Sequence, residues 1–413
     1  MLGKINFDEN EVNIVGAGIS GLLCAYTLQK KNFKINIYEK TDRVGGLINT
    51  TESQNGMVEW AAHSVLSNDN LKHLCQDINV NLLPVKNKQR YIFKNGKARR
   101  FPLNLTCAAR LLKKLLFVKN SGNLDNLTLG QFGRKFLGDQ ATNNLLTPMT
   151  NGIYAADANN LSLDLTFPQL KPSENQTLFQ RIRQLKKERK GEKSQMVAAE
   201  NGTFEIAEKL FNHLKNKDNV SFYFNYESTE LDFSKNNIIT VPAYHASKLF
   251  DDELQSNLQK VNYLPLVTAT IFIENAAFDK VPQGVGVLNA PSENCESLGI
   301  LFNSSAFDGR TTKEDTSSFT MILGGLNNTE IINKKTEELE KIICEEAKQI
   351  LKAQKNPDEI IITKWHKAIP HYSLQHQQNL QLISHKLPQN TVLFGNYTGN
   401  IGIRQMVDKA FQL

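Results

Sequence analysis

A chain of 413 residues is long enough for two or three domains with substantial cores. Its formal charge of +6 is mildly basic and falls short of a nucleic-acid-binding signature, so no nucleic-acid partner is expected. Five cysteines (Cys24, Cys75, Cys107, Cys295, Cys344) without C-x-x-C spacing argue against a zinc site or a disulfide framework and fit a reducing, cytoplasmic compartment. Residues 1–10 lack a signal-peptide core, and no apolar run is long enough to span a bilayer.

Residues 12–15 form a short apolar run that feeds Gly16-Ala17-Gly18-Ile19-Ser20-Gly21, and residues 22–31 then read as a helix. In such a strand–turn–helix, Gly16 permits the tight turn, Gly18 lets backbone approach a pyrophosphate, and Gly21 lets the helix pack closely on the strand. The helix N-terminus offers free N–H groups to phosphates. A second strand over 33–38 ends at Glu39, where a carboxylate meets a ribose hydroxyl and disfavours a 2′-phosphate. Lys40 and the run Arg43-Val44-Gly45-Gly46-Leu47 then suggest a second backbone approach to a bound dinucleotide, with Arg43 serving the pyrophosphate or fixing the loop. Ala61-Ala62-His63-Ser64 are small or compact residues where a chain can pass close to a flat ring. His63 stands apart from other ligand-type side chains and reads as structural; no metal site is expected.

Further along, residues 89–96 followed by Phe101-Pro102 read as a hairpin. Over 105–117, Leu105, Ala108, Ala109, Leu112, Leu115 and Leu116 share one helical face, with Arg110, Lys113 and Lys114 elsewhere. That pattern predicts a helix packed on its own domain, with an interfacial membrane helix as the alternative. Residues 181–193 read as a solvated basic helix and loop, and 337–352 as an amphipathic helix. Residues 391–396 read as a buried strand reaching Gly395, and the turn over 397–403 opens a helix toward Ala410.

The glycine fingerprint, the acidic strand end and the R-x-G-G run resemble the FAD-binding half of the flavin amine oxidase superfamily. The segment Asn151-Gly152-Ile153-Tyr154-Ala155-Ala156-Asp157 with Leu161-Ser162, the blocks at 283–288, 298–307 and 320–325, and the run from Trp365 to Tyr372 resemble the protoporphyrinogen/coproporphyrinogen oxidase family in order and spacing. The likeness covers nearly the whole chain. It implies an α/β fold: a Rossmann-like FAD-binding domain of the amine oxidase type, an α+β substrate domain and a mostly helical inserted domain. The expected division is 1–85, 196–250 and 381–413 for the FAD-binding domain, 86–195 for the helical domain and 251–380 for a substrate domain with a mixed sheet.

The resemblance implies FAD held non-covalently by Gly16, Ala17, Gly18, Ile19, Ser20, Gly21, Glu39, Lys40, Arg43, Gly46, Leu47, Ala61, Ala62, His63, Ser64, Ser228, Trp365, Ile401, Gly402 and Ile403. Ser228 stands for the adenine-end contact in a segment, 220–242, that is short for the family. Arg90 matches a position that pairs with a propionate, and Gly152 one whose missing side chain lets a ring approach. Val285, Leu288 and Ile322 match apolar walls. The implied reaction is oxidation of protoporphyrinogen IX to protoporphyrin IX in heme biosynthesis. It proceeds in three two-electron steps at flavin N5, with oxygen as acceptor and hydrogen peroxide as by-product; no catalytic side chain is assigned. Coproporphyrinogen III oxidation, amine oxidation and non-catalytic flavin binding are the alternatives. A homodimer and peripheral contact with the cytoplasmic membrane are compatible with this reading. Departures from the family are Ala156 in place of Gly, His371 in place of Gln, Gly399-Asn400 in place of an acidic residue and Gly, and Val285 in place of Phe.

Overall fold

The computed structural model describes residues 1–100, 103–188, 194–399 and 401–413. Phe101 and Pro102, residues 189–193 of the basic stretch, and Asn400 lie outside the described residues.

In chain order, β1 (Leu2–Gly3) and β2 (Glu11–Val15) lead into helix α1 (Ile19–Gln29), and β3 (Lys34–Tyr38) follows. β4 (Arg90–Lys94) precedes the helices α2 (Leu105–Phe117) and α3 (Thr147–Tyr154). Then come β5 (Val220–Tyr223), β6 (Asn236–Ile239), β7 (Tyr263–Glu274), β8 (Gly286–Asn289), β9 (Ser297–Phe302) and β10 (Thr316–Gly324). Helix α4 (Thr336–Glu346), β11 (Glu359–Pro370), β12 (Thr391–Leu393) and helix α5 (Ile403–Ala410) complete the chain.

The first sheet has the order β1-β12-β6-β2-β3-β5, parallel throughout except for the edge strand β1. Ten of the eleven residues of α1 are buried, because it lies between this sheet, the helix Phe204–Leu214 and α5. A helix apolar all round needs cover on every side. The chain's last strand therefore sits inside the sheet that its first strands begin.

The second sheet is mixed and seven-stranded, in the order β11-β7-β10-β9-β8-β4, with Lys97–Arg99 at the far edge. Side chains alternate across a strand, so each strand serves two faces. On one face Val267, Ala269, Val287, Ile300 and Met321 form a core with Leu339 and Ile343 of α4. The residues between them, including Arg90, Ile92, Leu288, Leu301 and Ile322, take the other face. β4 pairs in parallel with β8, so the hairpin at 90–99 belongs to this sheet, whereas the expected division at 86 grouped it with the helices. The pairing is long-range and leaves no local trace in the sequence.

The helical part is centred on Leu129, Phe132, Phe136, Leu161 and Leu163, with Leu264, Leu266 and Tyr372 joining from the mixed-sheet segment. Helix α2 has the expected bounds and lies against the helices Leu129–Phe136 and Leu178–Glu188 of its own domain, but only along one side. None of its 13 residues is buried, and Leu105, Leu112 and Phe117 are 90%, 57% and 72% exposed. Leu115 and the adjoining Val118 reach the helical core, Ala108 and Leu116 are half-buried, and Leu105, Ala109 and Leu112 are exposed. The basic stretch begins in the helix Leu178–Glu188, and α4 continues as a π-helical turn over Ala347–Leu351.

Candidate active site

The two glycine turns meet. Gly16 adopts a φ of +101°, and its N–H donates to Tyr38 O at 2.8 Å. A Cβ at Gly21 would lie 2.0 Å from Gly16 O, so this position is closed by the protein itself. Gly18 differs: its φ is −68°, and a Cβ there would be 3.7 Å from Gly46 Cα, an ordinary contact. Gly18 bridges to Gly45, whose N–H donates to Ala17 O at 2.9 Å. Arg43 holds the second turn from within, donating to Gly46 O at 2.7 Å and Val44 O at 3.2 Å. Helix α1, which begins with Ile19, Ser20 and Gly21, has no side-chain cap; its first N–H groups lack helical partners.

Glu39 is buried at the end of β3. Its Oε2 accepts from Ala17 N–H at 2.9 Å, and its Oε1 from Thr41 N–H and Oγ1 at 2.9 and 2.8 Å. The carboxylate thus sits against the first glycine turn. Lys40 is exposed beside His245, with Nζ and Nε2 3.1 Å apart, and Leu47 is exposed beyond the second turn. The backbone that reaches Glu39 from β5 is that of Asn225 and Tyr226, which donate to Thr41 O and Glu39 O at 3.0 and 2.9 Å. Ser228 lies two residues beyond. The chain between β5 and β6 is too short for a motif to have marked Asn225 and Tyr226 in advance.

The C-terminal turn returns to the same domain. Gly402 N–H donates to Gln405 Oε1 at 3.2 Å at the start of α5, and Ser20 Oγ donates to Met406 Sδ at 3.5 Å where α5 meets α1. Ile403 is buried in the first domain's core, while Ile401 packs in the cluster that includes Trp365 and Ile322. Trp365 Nε1 donates to Thr268 Oγ1 at 3.4 Å, and its ring meets Trp60 edge-on at 6.3 Å. Arg43 lies over the Trp60 ring at 5.6 Å. This chain of contacts links the second glycine turn to the mixed sheet. Ala61 is exposed, and Ala62 O accepts from Thr203 Oγ1 at 2.7 Å.

On the mixed sheet, Leu288, Gly299 and Ile322 pair in one cross-strand row, so the two aliphatic side chains flank a strip without one. Gly152 on α3 lies against Leu288: a Cβ there would be 2.4 Å from Leu288 Cδ2. Arg90, exposed, starts the next row through Gly286 and Leu301. Val285 is not part of this set. It packs with Val85, Ala198, Ala306 and Phe307, and lines a small neighbouring cavity of about 20 Å³ with His63, Ser64, Leu301 and Arg310. Burial and then the Arg310 charge lower the His63 pKa to about 4, so the ring is neutral near pH 7. Burial raises the Glu59 pKa against the opposing effect of hydrogen bonds from Thr203 and Thr50. Arg310 was not picked out from the sequence, where it lies three residues beyond the block at 298–307.

At the departures, Ala156 is buried and Ala155 before it takes a left-handed φ of 53°, while His371 Nε2 lies 3.0 Å from Asn160 O. Tyr397, beside the C-terminal turn, is fully buried among Val15, Ile239 and Leu393.

A mostly parallel sheet with facing glycine turns, an uncapped helix and a buried carboxylate fits a dinucleotide cofactor. Joined to a mixed sheet, it defines an oxidoreductase of the flavoprotein type. The chain matches the family Flavin containing amine oxidoreductase over residues 19–412 and belongs to it. Its cofactor is FAD, bound non-covalently, and it is an FAD-dependent oxidoreductase. Among similar proteins is protoporphyrinogen oxidase 1, chloroplastic, of Spinacia oleracea, 26% identical across 97% of this chain and 82% of the relative. Another is the coproporphyrinogen III oxidase of Bacillus subtilis (strain 168), 22% identical across 97% and 96%. A crystal structure from Exiguobacterium sp. 255-15, provisionally named a protoporphyrinogen oxidase, superposes with a TM-score of 0.78 at 18% identity, covering 99% of this chain and 98% of that one.

Proposed function

We propose that this protein oxidises a porphyrinogen to the porphyrin, with protoporphyrinogen IX as substrate and protoporphyrin IX as product. Six electrons and six protons leave the macrocycle in three two-electron steps, and three dioxygen molecules become hydrogen peroxide. FAD, when bound, supplies the two-electron acceptor. The residues assigned to hold it are those of the facing glycine turns with Glu39, Arg43 and the Ile401–Ile403 turn; Asn225 and Tyr226 replace Ser228 at the adenine end. The protein's own task is to position a flat apolar ring and exclude competing chemistry.

The observation that carries this reading is the row Leu288–Gly299–Ile322 with Gly152 packed on Leu288. In the reading, the row is an apolar wall for the macrocycle and Arg90 at its edge is a cation for a propionate. Coproporphyrinogen III is the second reading, because relatives named for either substrate resemble this chain at similar identity. The exposed stripe of α2 is the surface assigned to contact with an anionic membrane.

The test is anaerobic addition of each porphyrinogen to the FAD-loaded protein, followed by air. Bleaching of the flavin absorbance and then porphyrin fluorescence is expected, faster with protoporphyrinogen IX. Faster turnover of coproporphyrinogen III would move the assignment to the second substrate. Bleaching by primary or secondary amines alone would make the protein an amine oxidase, and no bleaching by either class would leave a non-catalytic flavin binder.

A further inference from the structure

The row of Leu288, Gly299 and Ile322 does not end at Leu288. β8 pairs with β4, which sets Ile92 beside Leu288, and β4 pairs with Lys97–Arg99, which sets Arg99 beside Ile92. Side chains in register share a face, so Arg99 closes the outer end of the row that carries the apolar wall. The neighbouring row, Thr320–Leu301–Gly286, ends at Arg90 in the same way. Two adjacent rows thus run outward to a guanidinium each.

The hairpin that carries both is fixed in place. At its turn the Asn95 and Gly96 N–H groups donate to Glu293 Oε1 and Oε2 at 2.8 and 3.2 Å. Lys94, on the same face as Ile92, donates through Nζ to Asn144 Oδ1 at 2.6 Å, and Asn144 lies just before α3 in the helical part. That face is therefore the one turned toward Gly152. Arg90 and Arg99 are diagonal neighbours across the two strands, about 7–8 Å apart, a spacing that long side chains bridge. Both are exposed, and among the described residues neither guanidinium has an ion pair, a hydrogen bond or a ring contact. The inner end of the row differs in character: Ile322 packs in the apolar cluster of Leu298, Trp365 and Ile401.

We propose that Arg90 and Arg99 together grip the two propionates on neighbouring pyrrole rings of the substrate, one carboxylate to each fork, and so turn its vinyl-bearing edge inward to Ile322. The inference rests on the porphyrinogen reading above and makes Arg99 the residue that orients the ring. A guanidinium meets a carboxylate with two parallel N–H···O bonds, a geometry that the Lys97 ammonium does not offer.

The test is fluorescence titration of FAD-loaded protein at low salt with protoporphyrin IX and with its dimethyl ester, in which both carboxylates are blocked. An exposed contact of this kind is worth up to about fivefold in affinity. Arg99→Met is expected to cut the preference for acid over ester about three- to fivefold, and Arg90→Met to cut it by a similar factor. The double variant should lose the product of the two, roughly ten- to twenty-fivefold. Arg99→Lys should restore part of the loss, and added salt should shrink the wild-type preference. A wild-type preference in Arg99→Met, or equal weakening of acid and ester, would overturn the assignment while wild-type turnover of protoporphyrinogen IX leaves the porphyrinogen reading standing. Wild-type protein that neither oxidises protoporphyrinogen IX nor prefers the acid would overturn both together.

Discussion

Gly18 and Gly21 stand on consecutive steps of one turn, yet a methyl group added to each should fail for different reasons. At Gly21 the added carbon meets Gly16 O at 2.0 Å, so Gly21→Ala should destabilise the apoprotein by about 1–3 kcal/mol in thermal or urea unfolding. At Gly18 the backbone is in an ordinary region and the methyl meets protein only at 3.7 Å. Gly18→Ala should therefore leave apoprotein stability within about 0.5 kcal/mol while weakening FAD at least roughly tenfold by flavin fluorescence titration. Parallel losses at the two positions would make Gly18 a packing residue. His63 carries a pH signature of its own. Its pKa falls from 6.5 to about 4 on folding, so the stabilisation is complete above pH 6.5 and is lost as the pH drops toward 4. The loss is at most about 3 kcal/mol, and His63→Gln should flatten that part of the stability–pH curve.

Two elements have faces whose neighbours decide their role. On α3, the methyl of Gly152→Ala would press on the free end of the Leu288 side chain, which can rotate away. The expected result is a melting temperature within a few degrees of the parent and a kcat/KM for porphyrinogen lowered about tenfold, because the displaced side chain enters the assigned slot. On α2, Leu112 and Phe117 project outward beside the exposed Lys113. Wild-type protein should sediment with anionic vesicles, and Leu112→Ser with Phe117→Ser should weaken that binding at least roughly tenfold without lowering stability. Unchanged sedimentation would remove α2 from the membrane assignment. Among the described residues no helix is long and apolar enough to cross a membrane.

At the scale of the whole molecule, the last residues close the first domain. β12 lies between β1 and β6, and α5 covers α1, so deletion of residues 391–413 removes an interior strand together with its helix. The shortened chain should lose both flavin binding and its cooperative unfolding transition; a flavin-binding product would show that the N-terminal strands suffice. Several local features were legible from residue order alone: the glycine turn after an apolar strand, the strand ending at Glu39, and the bounds of α2. Each is set by interactions within a few residues, such as turn geometry and side-chain periodicity. The same proximity explains what stayed hidden. Burial of α2 depends on what packs above it, which its own stripe of leucines does not encode. Asn225 and Tyr226 reach Glu39 only because β5 pairs with β3.

Residue order by itself determined that a dinucleotide turn begins the chain and that a strand–turn–helix near its end resembles the partner segment of a flavoprotein. Tertiary structure decided which side chains share a surface. It set Leu288 across from Ile322, moved Val285 to the neighbouring cavity, and brought Arg310 beside His63. Local preferences follow from neighbouring atoms along the backbone, whereas the field and solvation around a buried charge come from segments that meet only after folding.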